Sequence, residues 1–364
     1  MRTANTRAGF LKARSILFLL SLSLSQQCLS SHLQASPPTT DQSSVLITTT
    51  DEFSFSCLPL TAQLSDPIMS PGVESSHTHV VTGGTAFQRT MGADAAPNAS
   101  ETTCEVALDR SNYWIPALYH QGKEGVEMVG YESSAIYYLN RACDYAPGAQ
   151  ACKSGIYPLA PPAGLRIVAG NPILQTYDDS NFAQRAISHM CIEQGGGSKE
   201  TKNLPQQPCE KLRSQVFFPS CWDGKNLDSP DHKSHMAYPV IGDYNKGVCP
   251  KSHPKAIYSL FVEFIYNTKP FPDHQNWIYA TGDRTGYGLH GDFINGWTDQ
   301  VALQTAFETC TGSGWLKDPR CSLTKTQKRP LAPLSLQPDA PMSRENLGQK
   351  GVISALPGHP ELVH

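Results

Sequence analysis

Of the 11 cysteines in this chain, ten follow Cys28: Cys57, Cys104, Cys143, Cys152, Cys191, Cys209, Cys221, Cys249, Cys310 and Cys321. An even set in an exported chain reads as a disulfide framework, because thiols pair in an oxidising compartment. Such cross-links let a loop-rich chain keep one fold, and no Cys-x-x-Cys pair is present to suggest that thiolates hold zinc instead. Cys143 and Cys152 are close enough to staple a local loop, and Cys191 with Cys209 can close the insert around Gly195-Gly196-Gly197. Spacing leaves the remaining pairings open.

Export is expected from the N-terminus. Arg2, Arg7, Lys12 and Arg14 precede the apolar stretch Ile16 to Leu24, the layout of a signal peptide over residues 1–30, with cleavage after Ser25 or Ser30. That stretch is too short to span a bilayer, so no transmembrane segment is expected. Residues 31–55 are rich in Ser, Thr and Pro and read as a linker; residues 312–364 are basic and Pro-rich and read as a disordered tail. The globular domain is expected over 56–311. Asn98-Ala99-Ser100 is a glycosylation acceptor, which fits a secreted, extracellular or cell-wall location. A net charge of -3 leaves no basic excess for a nucleic-acid backbone.

Within the domain, short runs such as Val126-Glu127-Met128-Val129, Ile136-Tyr137-Tyr138-Leu139, Leu165 to Ala169, Gln215 to Phe218 and Ile257 to Tyr266 are separated by Gly, Pro, Asn and Asp clusters. These predict strands joined by long loops. Val301 to Thr309 predicts a helix with Val301, Leu303, Ala306 and Phe307 on one face. The fold expected is mainly β: a disulfide-stapled β-sandwich or jelly roll with long loops and few short helices.

Chemistry concentrates in Phe218 to His235, which packs a cysteine, a tryptophan, three aspartates and two histidines onto turn-prone backbone. His77 and His79 stand two apart, and so do His290 and Asp292, so on a strand each pair projects from one face. Paired imidazoles plus a carboxylate can hold one divalent metal ion, and His77, His79, His290 and Asp292 are the candidate ligands. His232 and His235, three apart, join His290 and Asp292 as candidate acid–base residues. Each histidine taken singly is as well explained by bracing a loop, since neutral imidazole both donates and accepts. Asp223, Asp228, Asp231, Glu263 and Asp283 offer further carboxylates, although Asp223 and Asp228 sit in sequences where Asp caps backbone amides. Trp222, Tyr287 and Trp297 are candidate platforms for a sugar ring, with burial in the core as the competing reading.

Asp66-Pro67-Ile68, Ser76-His77-Thr78-His79, Ser111 to Pro116, Phe218 to His235, Cys249 to Pro254 and Gly286 to Trp297 together resemble the fungal secreted family called DUF1996. The family pattern carries a second cysteine soon after the position of Cys104, where this chain has Glu105 and Val106. The resemblance implies an exported fungal domain but no reaction. Secretion and the His/Asp/Trp set lead to an expected carbohydrate-active hydrolase or lyase acting on cell-wall or environmental polysaccharide. The alternatives are a non-catalytic glycan-binding module and a metal-binding site without catalysis.

Overall fold

In Glu52 to Cys57, Lys211 to Phe217 and Ser259 to Asn267, large apolar side chains recur at every second position, and a pleated strand turns that alternation into one apolar face. The computed structural model describes residues 52–153, 157–310, 319–324 and 345–358, all within one unit spanning 46–364. Its main strands are β1 (Glu52–Cys57), β2 (Pro59–Gln63), β3 (His79–Gly83), β4 (Asn112–Pro116), β5 (Tyr131–Leu139) and β6 (Arg166–Gly170). These are followed by β7 (Ile187–Ile192), β8 (Ser198–Thr201), β9 (Lys211–Phe217), β10 (Ser259–Asn267) and β11 (His290–Ile294).

They form two antiparallel sheets. One has the order β1-β5-β10-β9-β7-β8 and the other β2-β3-β4-β11-β6. The sheets pack face to face as a sandwich. Phe53, Phe55, Ile136, Tyr138, Val216, Val262 and Phe264 from the first meet Val80, Tyr113, Ile115, Ile167 and Phe293 from the second. Tyr113 and Tyr138 join hydroxyls across the interface at 2.9 Å, and Tyr113 also donates to the buried Asp109 at 2.8 Å. Gly291 is required at its position, because a Cβ there would meet the Val216 methyls of the facing sheet at 3.0 and 3.1 Å.

The second sheet is buried on both faces. Away from the sandwich it carries Val81, Trp114, Val168 and Ile294, which are roofed by Ile68, Phe87, Met91 and Ala96 from the loops flanking β3. Chemistry-bearing side chains on this face therefore lie beneath loops.

Five disulfides fasten the loops to the sheets: Cys57–Cys104, Cys143–Cys152, Cys191–Cys209, Cys221–Cys249 and Cys310–Cys321. The two pairings expected from spacing both form. The helix forms over Gln300–Thr309, capped by Asp299, with Leu303, Ala306 and Phe307 buried; Val301, expected on that face, is 73% exposed. No helix among the described residues is long and apolar enough to cross a membrane.

Described residues continue past the expected domain limits of 56–311 at both ends. The signal segment 1–30 and the linker as far as residue 51 lie outside the described residues, but Glu52–Cys57 is a strand whose Phe53 and Phe55 are core. Of the expected tail, 312–318, 325–344 and 359–364 lie outside the described residues. Cys321 and Leu323 are buried, and 345–358 packs on the domain through Leu347 and Leu356. Met128 N donates to the Gly348 carbonyl, and Val126 bridges to Ile353. Pro330, Pro333, Pro338 and Pro341, which suggested disorder, lie outside the described residues.

Candidate metal centre

The outer face of the five-stranded sheet brings His79 and His290 together. His79 leads β3 and His290 leads β11, on either side of β4, and Asp292 lies two residues along β11 on the same face, opposite Trp114 and Val168. His77, two residues before His79, turns inward with it. Ring centroids of His77 and His79 are 4.3 Å apart, of His77 and His290 5.0 Å, and of His79 and His290 5.9 Å.

Backbone contacts fix how each ring points. His79 Nδ1 donates to the Ser65 carbonyl at 3.1 Å, and His290 Nδ1 donates to the Gly288 carbonyl at 3.2 Å, so both carry their proton on Nδ1 and a lone pair on Nε2. His77 Nδ1 lies 3.1 Å from Ser76 Oγ, and its Nε2 lies 3.1 Å from His290 Nε2. The three histidines thus converge, each offering a ring nitrogen within 4.8 Å of the others. His79 Nε2 is buried with no hydrogen-bond partner.

The loop after β2 adds a carboxylate that spacing alone did not single out. Asp66 Oδ1 accepts from Ile68 N and Met69 N, both at 3.0 Å, which holds the turn at Pro67 and leaves the other oxygen to face inward. Asp66, His79 and Asp292 form a second set of donors within 4.8 Å of one another. Both Asp292 oxygens are buried without any partner, which is rare for a carboxylate. The Gly-rich segment before β11 is held by Asp283, which accepts from Thr285 N at 2.7 Å and from Gly286 N and Gly288 N at 2.9 Å; Asp283 therefore positions His290.

Burial dominates the electrostatics. His77 is 7% exposed, His290 4%, Asp66 2%, and His79 and Asp292 0%. Burial pulls His79 down to about 3, and burial with the neighbouring His79 pulls His290 down to about 3. Burial pushes the Asp66 carboxyl up against its backbone hydrogen bonds, and burial with the nearby Asp66 pushes Asp292 well above the carboxylate range. The half-buried Lys233, whose Nζ donates to the Gly170 carbonyl at 2.6 Å, is the one cation whose charge opposes that rise. The bare Nε2 of His79, beside an Asp292 carboxylate that no donor satisfies, belongs to a set of donors that a cation would complete.

The other expected site residues fall elsewhere. His232 sits at the rim, with φ 56°; its Nδ1 is 2.8 Å from Asp228 Oδ1, and its charge reaches Asp66. His235 is buried at 1% exposure, away from the cluster, with Nδ1 2.8 Å from Ser229 Oγ and Nε2 donating to the Arg166 carbonyl at 2.7 Å. Trp297 cannot be a sugar platform: it is 1% exposed and its indole donates to Tyr138 in the core. Trp222 packs against the core edge with its indole engaged by the Asn226 carbonyl, and Tyr287 stacks on Tyr177 at 5.8 Å. Asp223 and Asp231 cap turns, as Asp223 was expected to. Asn98 is exposed.

Gly358 abuts the site from the C-terminal segment, where a Cβ would meet the Ser76 carbonyl oxygen at 2.1 Å and His77 N at 3.2 Å. Residues 345–358 thus act as a strap beside His77.

No curated protein and no solved structure matches the chain. A family model described as a domain of unknown function matches residues 66–297, more than half of the chain, and its span takes in all five converging donors from Asp66 to Asp292. The chain belongs to that family, DUF1996.

Proposed function

We propose that this is an exported protein whose five-stranded sheet and the loop over it hold one divalent metal ion. His77, His79 and His290 are the imidazole ligands, Asp292 is the carboxylate ligand, and Asp66 stands beside them. The observation that carries the reading is the buried, unpartnered Nε2 of His79 beside an Asp292 carboxylate with no partner, the Nδ1 atoms of His79 and His290 each donating to a backbone carbonyl so that Nε2 is the nitrogen left to bind. Three imidazoles and one carboxylate suit zinc in tetrahedral geometry, and recruitment of Asp66 would suit a harder ion.

Donors no more than 7% exposed make a closed centre, which is the arrangement of metals that tie structure together. A polysaccharide chain does not reach His290 or Asp292 at that depth, so hydrolysis or lyase chemistry at this cluster is the weaker reading. The five disulfides and the basic-then-apolar N-terminus support export.

The test is metal analysis of protein purified from culture medium, wild type beside the double variant His79→Ala, His290→Ala, each before and after dialysis against chelator. Near-stoichiometric metal in the wild type and its loss from a folded double variant are expected. A wild-type protein that takes up no zinc, manganese, iron(II) or copper after reconstitution would falsify the proposal.

A further inference from the structure

The opposite surface of the molecule carries a second site that owes nothing to the histidine cluster. On the outer face of the six-stranded sheet, Tyr137 of β5, Phe261 of β10 and Phe217 of β9 stand in one cross-strand row. Their ring centroids are 5.3 and 5.6 Å apart. Tyr137 and Phe261 are only half-buried, unusual for aromatics on an outer strand face, and they pack on Phe217, which is 5% exposed and backs the row. At the end of the row Tyr244, from the hairpin turn after Ile241–Asp243, stands edge-on to Phe217 at 5.7 Å and 86° and forms a wall.

Polar groups flank the row. Tyr137 donates to Glu263 at 3.1 Å, Gln215 donates to the same carboxylate at 2.7 Å, and Ser188 donates to Gln215 at 3.0 Å. Asn245, next to Tyr244, keeps its Oδ1 buried with no hydrogen-bond partner and lines the cleft, which encloses about 270 Å³.

The chemistry of the cleft selects its ligand. Around it Arg141 pairs with Glu52 at 3.3 Å and Arg185 with Asp243 at 2.9 Å, while Lys202 donates to the Arg185 carbonyl at 2.6 Å and lies 5.5 Å over the Tyr244 ring. A polyanion would meet the Glu52 and Glu200 carboxylates that line the cleft. An extended peptide adding as a strand would use a sheet edge, whereas this cleft lies on a sheet face. A row of rings bordered by donors and acceptors fits a neutral ligand with an apolar face and a hydroxyl rim, which is a pyranose. We propose that the Tyr137–Phe261–Phe217 row with the Tyr244 wall is a binding site for a neutral oligosaccharide.

The experiment is calorimetric titration of the full chain with four hexasaccharides: β-1,3-glucan, β-1,4-glucan, chitin and xylan oligomers. Binding to at least one is expected. Phe261→Ala and Tyr244→Ala should each weaken it about tenfold, equivalent to about 1.4 kcal/mol. Tyr244 lies in a hairpin turn, so its variant keeps the fold even if Phe261→Ala does not, and Tyr137→Phe, which retains the ring, should bind nearly as wild type. The His79→Ala, His290→Ala protein should bind unchanged. Absence of binding to all four, or binding indifferent to Tyr244→Ala, overturns the proposal, as does loss of binding in the histidine variant alone.

Discussion

Asp292 is the residue where burial and chemistry conflict most. An ionised carboxylate with no donor in a dry site is strongly disfavoured, and this one has neither oxygen satisfied. A bound cation resolves the conflict, and so does removal of the charge. Asp292→Asn is therefore expected to leave the metal-free protein at least as stable at pH 7, while abolishing the rise in melting temperature that zinc gives the wild type. An unchanged zinc response would remove Asp292 from the ligand set.

A second prediction at this scale concerns His189, buried between the sheets with Nε2 3.0 Å from Tyr279 Oη and Nδ1 without a partner. Burial pulls it from 6.5 down to about 3, so between those values the unfolded chain binds a proton that the folded chain does not. Its contribution to stability is whole above pH 6.5 and falls as pH drops toward 3. Chemical denaturation of His189→Asn should show a shallower loss over that window than the wild type; identical slopes would contradict the assignment.

Sequence reading found His77, His79, His290 and Asp292 because a spacing of two on extended backbone forces a shared face. It did not place Asp66 in the set, because Asp-Pro reads as a turn, and Asp66 does close that turn with one oxygen while the other faces the site. The burial of His235 and Trp297 was not legible for one reason: what a side chain touches depends on the partner strand and loop, which local pattern does not specify.

Among the elements, the C-terminal strap is the least legible and the most consequential. Its prolines and charges suggest solvation, yet Leu347 and Leu356 are buried and Gly358, at φ +87°, fits against Ser76 only because it lacks a Cβ. Gly358→Ala should push the strap away from His77 without altering a ligand. The expected result is unchanged metal content with extraction by chelator accelerated about tenfold, a barrier lowering of about 1.4 kcal/mol. Equal extraction rates would show that the strap does not guard the site. The strands were more legible: β5, β6, β9 and β10 carry alternating or continuous apolar runs. His79–Gly83 and His290–Ile294 stood out for their chemistry rather than as strands, because each mixes His, Gly and Asp or Thr with few apolar residues.

For the molecule as a whole, cross-links and the proposed metal act on the same loops. Cys57–Cys104 ties the end of β1, at the edge of one sheet, to the segment between β3 and β4 of the other, closing 47 residues. In the chain-entropy account a loop of that length is worth about 4 kcal/mol. The Cys57→Ala, Cys104→Ala protein should lose roughly that much in urea unfolding, and a loss under about 1 kcal/mol would mean that packing alone holds the sheets.

The most direct test of the central claim is anomalous diffraction from crystals of the zinc-loaded protein. One peak is predicted about 2.0–2.2 Å from the Nε2 atoms of His77, His79 and His290 and from an Asp292 oxygen. Zinc bound only at surface residues, with these side chains as close as before and no peak among them, would contradict it.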